Sequence, residues 1–486
     1  MLICSCPSLN PGRLCASTEF GQPIPRRAIH LLESPVENPT WCELKTDAAA
    51  FFSLRLGMKA SRFPGWLNGC LFAALVVSLF SGCAITNLFS GGKKIRGNVA
   101  PLYSADSPSF RQATGALLSR NFVGGNNIVT LVNGDQIFPA MLSAIGRAKT
   151  TIDFESYVFS DGEIAKQFTD AFAERAAAGV KVNLILDAQG TSGMGAENLA
   201  KLRNAGAEVE KYHTLFWWDI RRYNNRTHRK LLIVDGKIGF IGGVGIADEW
   251  LGHAQSPKNW RDNHYEVTGP VVAQLQGIFM DNWLKTRGTI LNGPGYFPPL
   301  FPAGPYLAQA FESSPRRGDV DMQLMYLLAI ASAQKTLRIE NAYFLPDEKA
   351  REEMIAAARR GVKVQVMVPG KHIDQKLVRI ASKQHWPELI RAGVRIFEYQ
   401  PTMLHVKLLI VDDIFVSIGS GNFDNRSVRL NDEANLNVLD RGFAAQQIRL
   451  FESDKSHARE VTLDKAGGLI FTKPLEAAVS LSSPQL

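Results

Sequence analysis

The feature that most limits what this chain can fold into is a motif that occurs twice. One copy reads His228-x-Lys230-x4-Asp235 and the other His405-x-Lys407-x4-Asp412, each with the same Leu-Leu-Ile-Val run between lysine and aspartate. A turn of small residues begins fourteen positions after each histidine (242 minus 228, 419 minus 405), at Gly242, Gly243 and Gly245 in the first copy and at Gly419, Ser420 and Asn422 in the second. The surroundings repeat as well. Residues 151–155 match 336–340, strand-like by alternation, and an aromatic turn follows each (Tyr157 and Phe159; Tyr343 and Phe344). Then come an Ala-rich helix, a Gly-Val-Lys-Val segment, an apolar strand, and a helix ending at Ala205-Gly206 or Ala392-Gly393. Matching points lie roughly 180 residues apart, far longer than a solenoid repeat, so the chain contains a duplicated domain.

Strand, helix, strand order requires crossover connections and hence parallel or mixed sheets covered by helices. The five prolines between residues 292 and 305 exclude a regular helix and make a stiff connector. The expected fold class is therefore α/β: two domains, each a mixed sheet flanked by helices, packed about a pseudo-twofold axis around one active site. Their expected bounds are 101–290 and 311–463, with a linker at 291–310 and a weakly ordered tail at 464–486.

In an extended strand, residues i and i+2 share a face, so His228 projects with Lys230 and His405 with Lys407. The Leu-Leu-Ile-Val runs suit buried strands that hold those side chains firmly. Pseudo-twofold packing would bring two imidazoles and two ammonium groups into one cleft, an arrangement suited to a phosphodiester. An imidazole with a free pKa of about 6.5 is largely unprotonated near neutral pH and can attack phosphorus. A second can serve the leaving and incoming oxygens as acid and base, while the lysines neutralise phosphoryl charge. This chemistry needs no metal or cofactor. All six cysteines lie at or before Cys83, so the body has no thiol nucleophile or cysteine-ligated metal. The other histidines, His213, His253, His264, His372, His385 and His457, have no metal-ligand spacing and are read as structural.

The doubled motif resembles the signature of the phospholipase D superfamily. The wider wording is similar to its bacterial cardiolipin synthase branch, in residues 225–228, 246–249, 260–262, 267–271, 343–346 and 422–427. The resemblance implies two phospholipase D-like domains and a two-step displacement through a phosphohistidine. By analogy His228 is the nucleophile and His405 the acid and base, an order that pseudo-symmetry leaves open. Lys230 and Lys407 would bind phosphoryl oxygens, with hydrogen bonds from Ser420 and Asn422 and the Gly243 turn opposite. Glu433 and Asp262 would orient the imidazoles. Asp235 and Asp412 complete the motif; the family gives them chiefly a positioning role. Where the family turn often ends in Asn, the first repeat has Gly245.

The implied reaction joins two phosphatidylglycerol molecules into cardiolipin with release of glycerol. Hydrolysis to phosphatidic acid is the competing reading, and a nuclease of the same superfamily is a third. Lys plus Arg exceed Asp plus Glu by 54 to 46, which favours anionic partners without choosing between phospholipid and nucleic acid. Membrane targeting and the lack of a long basic stripe favour lipid over nucleic acid.

That targeting is read from residues 70–89. An apolar run at 71–80 follows Lys59 and Arg62 and ends at Ser81-Gly82-Cys83. This describes either a secretory signal with Cys83 as a lipidation site or an uncleaved anchor of about 20 residues. The preceding 57 residues show no sustained periodicity, so Met58 is the expected start, residues 58–100 the signal or anchor segment, and 1–57 an extension. Attachment to a bacterial cell membrane is expected, with the face left open by evenly basic flanks. Trp217 and Trp218, beside Arg221, Arg222, Arg226 and Arg229, are candidates for contact with lipid headgroups.

Overall fold

In a computed structural model of the chain, residues 95, 97, 99–213, 225–315 and 319–463 are described. Cys83, the segment around Met58, Trp217, Trp218 and the 464–486 tail lie outside them. Among the described residues no helix is long and apolar enough to cross a membrane.

The first repeat supplies strands β1 (Val123–Val132), β2 (Thr151–Ser156), β3 (Lys181–Asp187), β4 (Glu208–Tyr212), β5 (Lys230–Val234), β6 (Ile238–Gly242) and β7 (Asn263–Thr268). The second supplies β8 (Tyr306–Ser313), β9 (Thr336–Asn341), β10 (Phe344–Leu345), β11 (Lys363–Pro369), β12 (Arg395–Tyr399), β13 (Lys407–Val411), β14 (Phe415–Gly419), β15 (Phe423–Asp424), β16 (Glu433–Leu439) and β17 (Ala458–Glu460). All but the short β10–β15 pair join one mixed sheet of fifteen strands, in the order β17-β12-β11-β9-β13-β14-β16-β8-β1-β7-β6-β5-β2-β3-β4. Counted outward from the central β8–β1 pair, the two sides match strand for strand: β16 with β7, β14 with β6, β13 with β5, β9 with β2, β11 with β3, β12 with β4. The duplicated motif thus becomes a pseudo-twofold, and the fold is mixed α/β as expected.

The Leu-Leu-Ile-Val runs explain how the halves meet. Leu231 and Ile233 of β5, with Leu408 and Ile410 of β13, point into one core shared by both repeats. Their neighbours Leu232 and Val234 point into a helix-covered core of the first repeat, and Leu409 and Val411 into that of the second. These strands are buried on both faces, which is why they read as unbroken apolar runs rather than alternating ones. Each such side chain contributes about 1.5–3 kcal/mol on burial. The helices Val272–Arg287 and Arg441–Ser456 add Leu275, Phe279, Trp283, Phe443 and Phe451 to the shared core. Gly288 ends the first helix in a left-handed conformation (φ 73°), and the Asp440 carboxylate caps the second through the Phe443 N–H at 2.7 Å.

The connector is pinned to the first repeat: the Thr151 hydroxyl donates to the Gly295 carbonyl at 2.9 Å and Asn183 Nδ2 to the Tyr296 hydroxyl at 3.3 Å. Strand β8 starts at Tyr306, inside the stretch that the sequence reads as linker to 310.

Candidate active site

His228 and His405 stand two residues ahead of β5 and β13, and each is stitched to the opposite repeat. The His228 N–H donates to the Asp432 carbonyl at 2.8 Å, and the His405 N–H to the Arg261 carbonyl at 2.7 Å. The residues that follow those carbonyls are the two expected carboxylates, so backbone pairing carries each carboxylate to the other repeat's imidazole. Glu433 places both oxygens 3.0 Å from His228 Nδ1, and Asp262 Oδ2 lies 2.8 Å from His405 Nδ1. A carboxylate at Nδ1 fixes the Nδ1–H tautomer and leaves the Nε2 lone pair for chemistry.

Lys230 Nζ donates to the His228 carbonyl at 2.7 Å and Lys407 Nζ to the His405 carbonyl at 2.6 Å. Lys407 Nζ also lies 3.1 Å from His405 Nε2. All four groups are buried. Burial brings both imidazoles down to about 4 against the pull of their carboxylates, with Lys407 adding to the effect at His405. It brings Lys230 down to about 7 and Lys407 to about 8. Burial alone would raise Glu433 and Asp262, yet the facing imidazoles and lysines hold both below the usual carboxylate range.

The carboxylates are fixed in different ways. Ser420 and Ser427 each donate to Glu433 at 2.6 Å, one to each oxygen. Ser420, expected either to bond phosphate or to support the residues that do, donates to the carboxylate here. At the matching position a Cβ on Gly243 would lie 2.5–2.9 Å from the Asp262 carboxyl atoms, so the glycine makes room for the shorter acid. Trp250 Nε1 supplies the hydrogen bond there, at 3.0 Å from Asp262 Oδ2. Asn422 is buried and its Oδ1 has no hydrogen-bond partner, leaving an acceptor open in the second repeat. Its counterpart Gly245 has no space for an amide, since a Cβ would meet Val158 at 2.7 Å.

Asp235 and Asp412, grouped by sequence with the catalytic residues, are placed elsewhere. They occupy the hairpin turns beyond β5 and β13, at the opposite strand ends from the histidines, with φ of 52° and 49°. Asp235 accepts from the N–H groups of Lys149, Thr150 and Thr151, and Asp412 from those of Gln334, Lys335 and Thr336. Each ties a hairpin to the start of the neighbouring strand. The basic cluster is also corrected in part: Arg226 and Arg229 are buried and cannot face a lipid headgroup. Arg229 donates to the Ile278 carbonyl at 2.8 Å and to the Glu433 carbonyl at 3.3 Å.

Several residues at the site carried no separate expectation. The indole rings of Trp250 and Trp260 lie 5.3 and 5.2 Å from the His405 ring. Tyr157 lies 5.2 Å from His228 edge-on and Tyr343 6.1 Å from His405. Beneath His228, Asn282 donates to the buried Glu155 at 2.6 Å, and the Thr227 hydroxyl donates to the same carboxyl. Under His405, Arg261 donates to both oxygens of Asp454 at 3.0 and 2.7 Å. Ser427, Trp260 and Arg261 fall inside segments that carry the resemblance; the equivalent spacing of Tyr157 and Tyr343 was a usable signal for the tyrosines.

Residues 141–264 and 326–455 match the family described as "Cardiolipin synthase, PLD-like domain", one match per repeat. The chain belongs to the phospholipase D superfamily, in its cardiolipin synthase-like branch. Curated relatives include cardiolipin synthase A of Pseudomonas putida, 37% identical over 343 residues, covering 70% of this chain and 71% of that protein. Cardiolipin synthase A of Pseudomonas fluorescens is 35% identical over 345 residues, 71% of each chain. Among solved structures, phosphatidylserine synthase from Haemophilus influenzae aligns with a TM-score of 0.60 at 15% identity, over 78% of this chain and 100% of that one, a likeness of fold. This cardiolipin synthase-like chain is thus a phosphatidyltransferase of the phospholipase D type.

Proposed function

We propose that the protein makes cardiolipin from two phosphatidylglycerol molecules at a bacterial membrane, through a phosphohistidine on His228. The observation that carries this reading is the pair of crossed imidazole–carboxylate contacts with two buried lysines beside them. Binding of the phosphodiester anion favours protonation of His405 at Nε2. In the first step His228 Nε2 forms a bond to phosphorus, the bond from phosphorus to the glycerol oxygen breaks, and that proton passes from His405 Nε2 to the oxygen. In the second, a hydroxyl of another phosphatidylglycerol attacks phosphorus, His405 takes its proton, and the bond to His228 breaks. Glu433 stabilises the positive charge that His228 acquires when it becomes bonded to phosphorus. Lys230 and Lys407 offset the phosphoryl charge, and phosphate beside them favours their protonated forms.

The names of the relatives support cardiolipin as product. The low resting basicity of His228 suits a nucleophile that must be neutral. The test incubates the full-length protein with phosphatidylglycerol vesicles in chelator and follows lipids by mass spectrometry. Cardiolipin and glycerol should appear, and should be absent with His228→Ala. Phosphatidic acid alone would identify a hydrolase.

A further inference from the structure

A displacement on phosphorus needs donors around the phosphate, and Lys230 and Lys407 provide them. An alcohol acceptor needs the opposite, a group that accepts its O–H bonds. One residue removed from His405, bonded to Tyr343, the structure has such a group. Asp374, in the loop after β11, is exposed, and its two oxygens each lie 2.8 Å from the Tyr343 hydroxyl, which donates to them. Its other hydrogen bond comes from Gln375 Nε2 at 3.3 Å.

The loop is anchored at the site. Ile373 packs with Ala342, Met403, Tyr343 and Trp260, and the rings of Tyr343 and Trp260 flank His405. Asp374 is close enough to act electrostatically on Lys407 and on Tyr157 across the mouth. Burial, reinforced by Asp374, pushes the Tyr343 phenol well above its ordinary value, so it stays protonated as a donor. A carboxylate accepting from a phenol keeps further lone pairs. A phosphodiester anion would be repelled by it, whereas neighbouring hydroxyls of a polyol can fill those lone pairs.

Among the described residues, the first repeat's matching carboxylate is placed differently. Asp187, which acts on Tyr157 as Asp374 does on Tyr343, is buried, and its oxygens accept from the N–H groups of Gln189, Gly190 and Thr227. The asymmetry falls on the side of His405, the residue that exchanges a proton with the alcohol.

We propose that Asp374, held by Tyr343, is the specificity-determining residue for the alcohol, binding the free hydroxyls of a glycerol headgroup beside His405. This rests on the synthase reading above. Its consequence is preference for a polyol over a monohydric alcohol, since a site built to pair with a hydroxyl discriminates strongly against a partner lacking it.

The test uses full-length protein and cardiolipin vesicles, with glycerol and ethanol competing as acceptors, and measures phosphatidylglycerol against phosphatidylethanol. Asp374→Asn and Asp374→Ala should lower the glycerol-to-ethanol product ratio ten- to a hundredfold, with the loss appearing in KM for glycerol. Tyr343→Phe, which keeps the ring packing, should lower the ratio less. An unchanged ratio in the Asp374 variants, with both products made, would overturn the subsite and leave the synthase reading standing. Phosphatidic acid as sole product of the unaltered protein would overturn both.

Discussion

Nδ1 of His228, from the first repeat, lies 3.0 Å from both carboxylate oxygens of Glu433, from the second. Asp262 returns the contact to His405 at 2.8 Å. Neither repeat holds both members of a pair, so the site exists only where the two are joined. The parallel bridges between Thr227 and Asp432 and between Arg261 and Leu404 make that join a matter of backbone hydrogen bonding.

Glu433→Gln should therefore damage His228 from across the repeat boundary. The amide keeps the shape but neither enforces the Nδ1–H tautomer nor stabilises a positive imidazole. The expected loss in kcat is about 10²–10⁴-fold, in the range that acid–base groups supply. Steady-state kinetics beside a thermal melt checks it; a fall in kcat proportionate to unfolding would point to a structural role alone.

Ser420→Ala tests whether that hydroxyl serves phosphate or carboxylate. With Ser427 still bonded to Glu433, kcat should fall roughly tenfold, by loss of one charge-assisted hydrogen bond. KM for phosphatidylglycerol should hold. A rise in KM with kcat intact would return Ser420 to phosphate binding.

Asp235→Asn should cost about 1–2 kcal/mol of stability with little change in kcat, because its carboxylate serves three backbone N–H groups away from the histidines. Burial would raise this acid, but its hydrogen bonds from Thr150 and Thr151 outweigh that and hold it low. A depressed acid contributes stability above its unfolded pKa and loses it as pH falls through the folded one. The gap between the variant and the parent in urea melts should accordingly narrow at acid pH.

The lysines should burden the fold where Asp235 supports it, although stability again rises with pH. Lys230 is down at about 7 in the folded protein, so below that pH it is a buried cation and a burden on the fold. Between pH 7 and its ordinary value of about 10.4 the folded state binds fewer protons than the unfolded, and stability rises with pH by up to about 1.4 kcal/mol per unit. Lys230→Met should be inactive yet more stable, with the gain larger at pH 6 than at pH 9. Equal gains at both would show that the lysine is not so perturbed.

What the sequence made legible follows from chemistry that is local in the chain. The doubled histidine–lysine pairs, the apolar runs behind them and the spacing to Glu433 and Asp262 are short-range patterns, and they led to the fold and to residues that the structure gathers at the candidate site. Which carboxylate serves which imidazole was not readable, because the crossing depends on contacts between residues about 140 to 200 apart. The role of Ser420 was left open for a related reason: a serine in a small-residue turn can serve phosphate or a neighbouring carboxylate, and only the fold brings it to Glu433. Asp235 and Asp412 share a motif with the histidines but sit at the far ends of five-residue strands. Of the tryptophans around His405, Trp250 ends a single 3-10 turn and Trp260 lies in an irregular stretch, so alternation gives neither a facing direction.

The most direct test of the account is to find the covalent intermediate. Unaltered full-length protein would be mixed with phosphatidylglycerol, quenched within a turnover under alkaline conditions that preserve phosphohistidine, digested and mapped by mass spectrometry. A phosphatidyl group on the peptide containing His228, reduced in the Glu433→Gln variant, is the predicted result. Modification of His405, with none on His228, would contradict it and reverse the two roles.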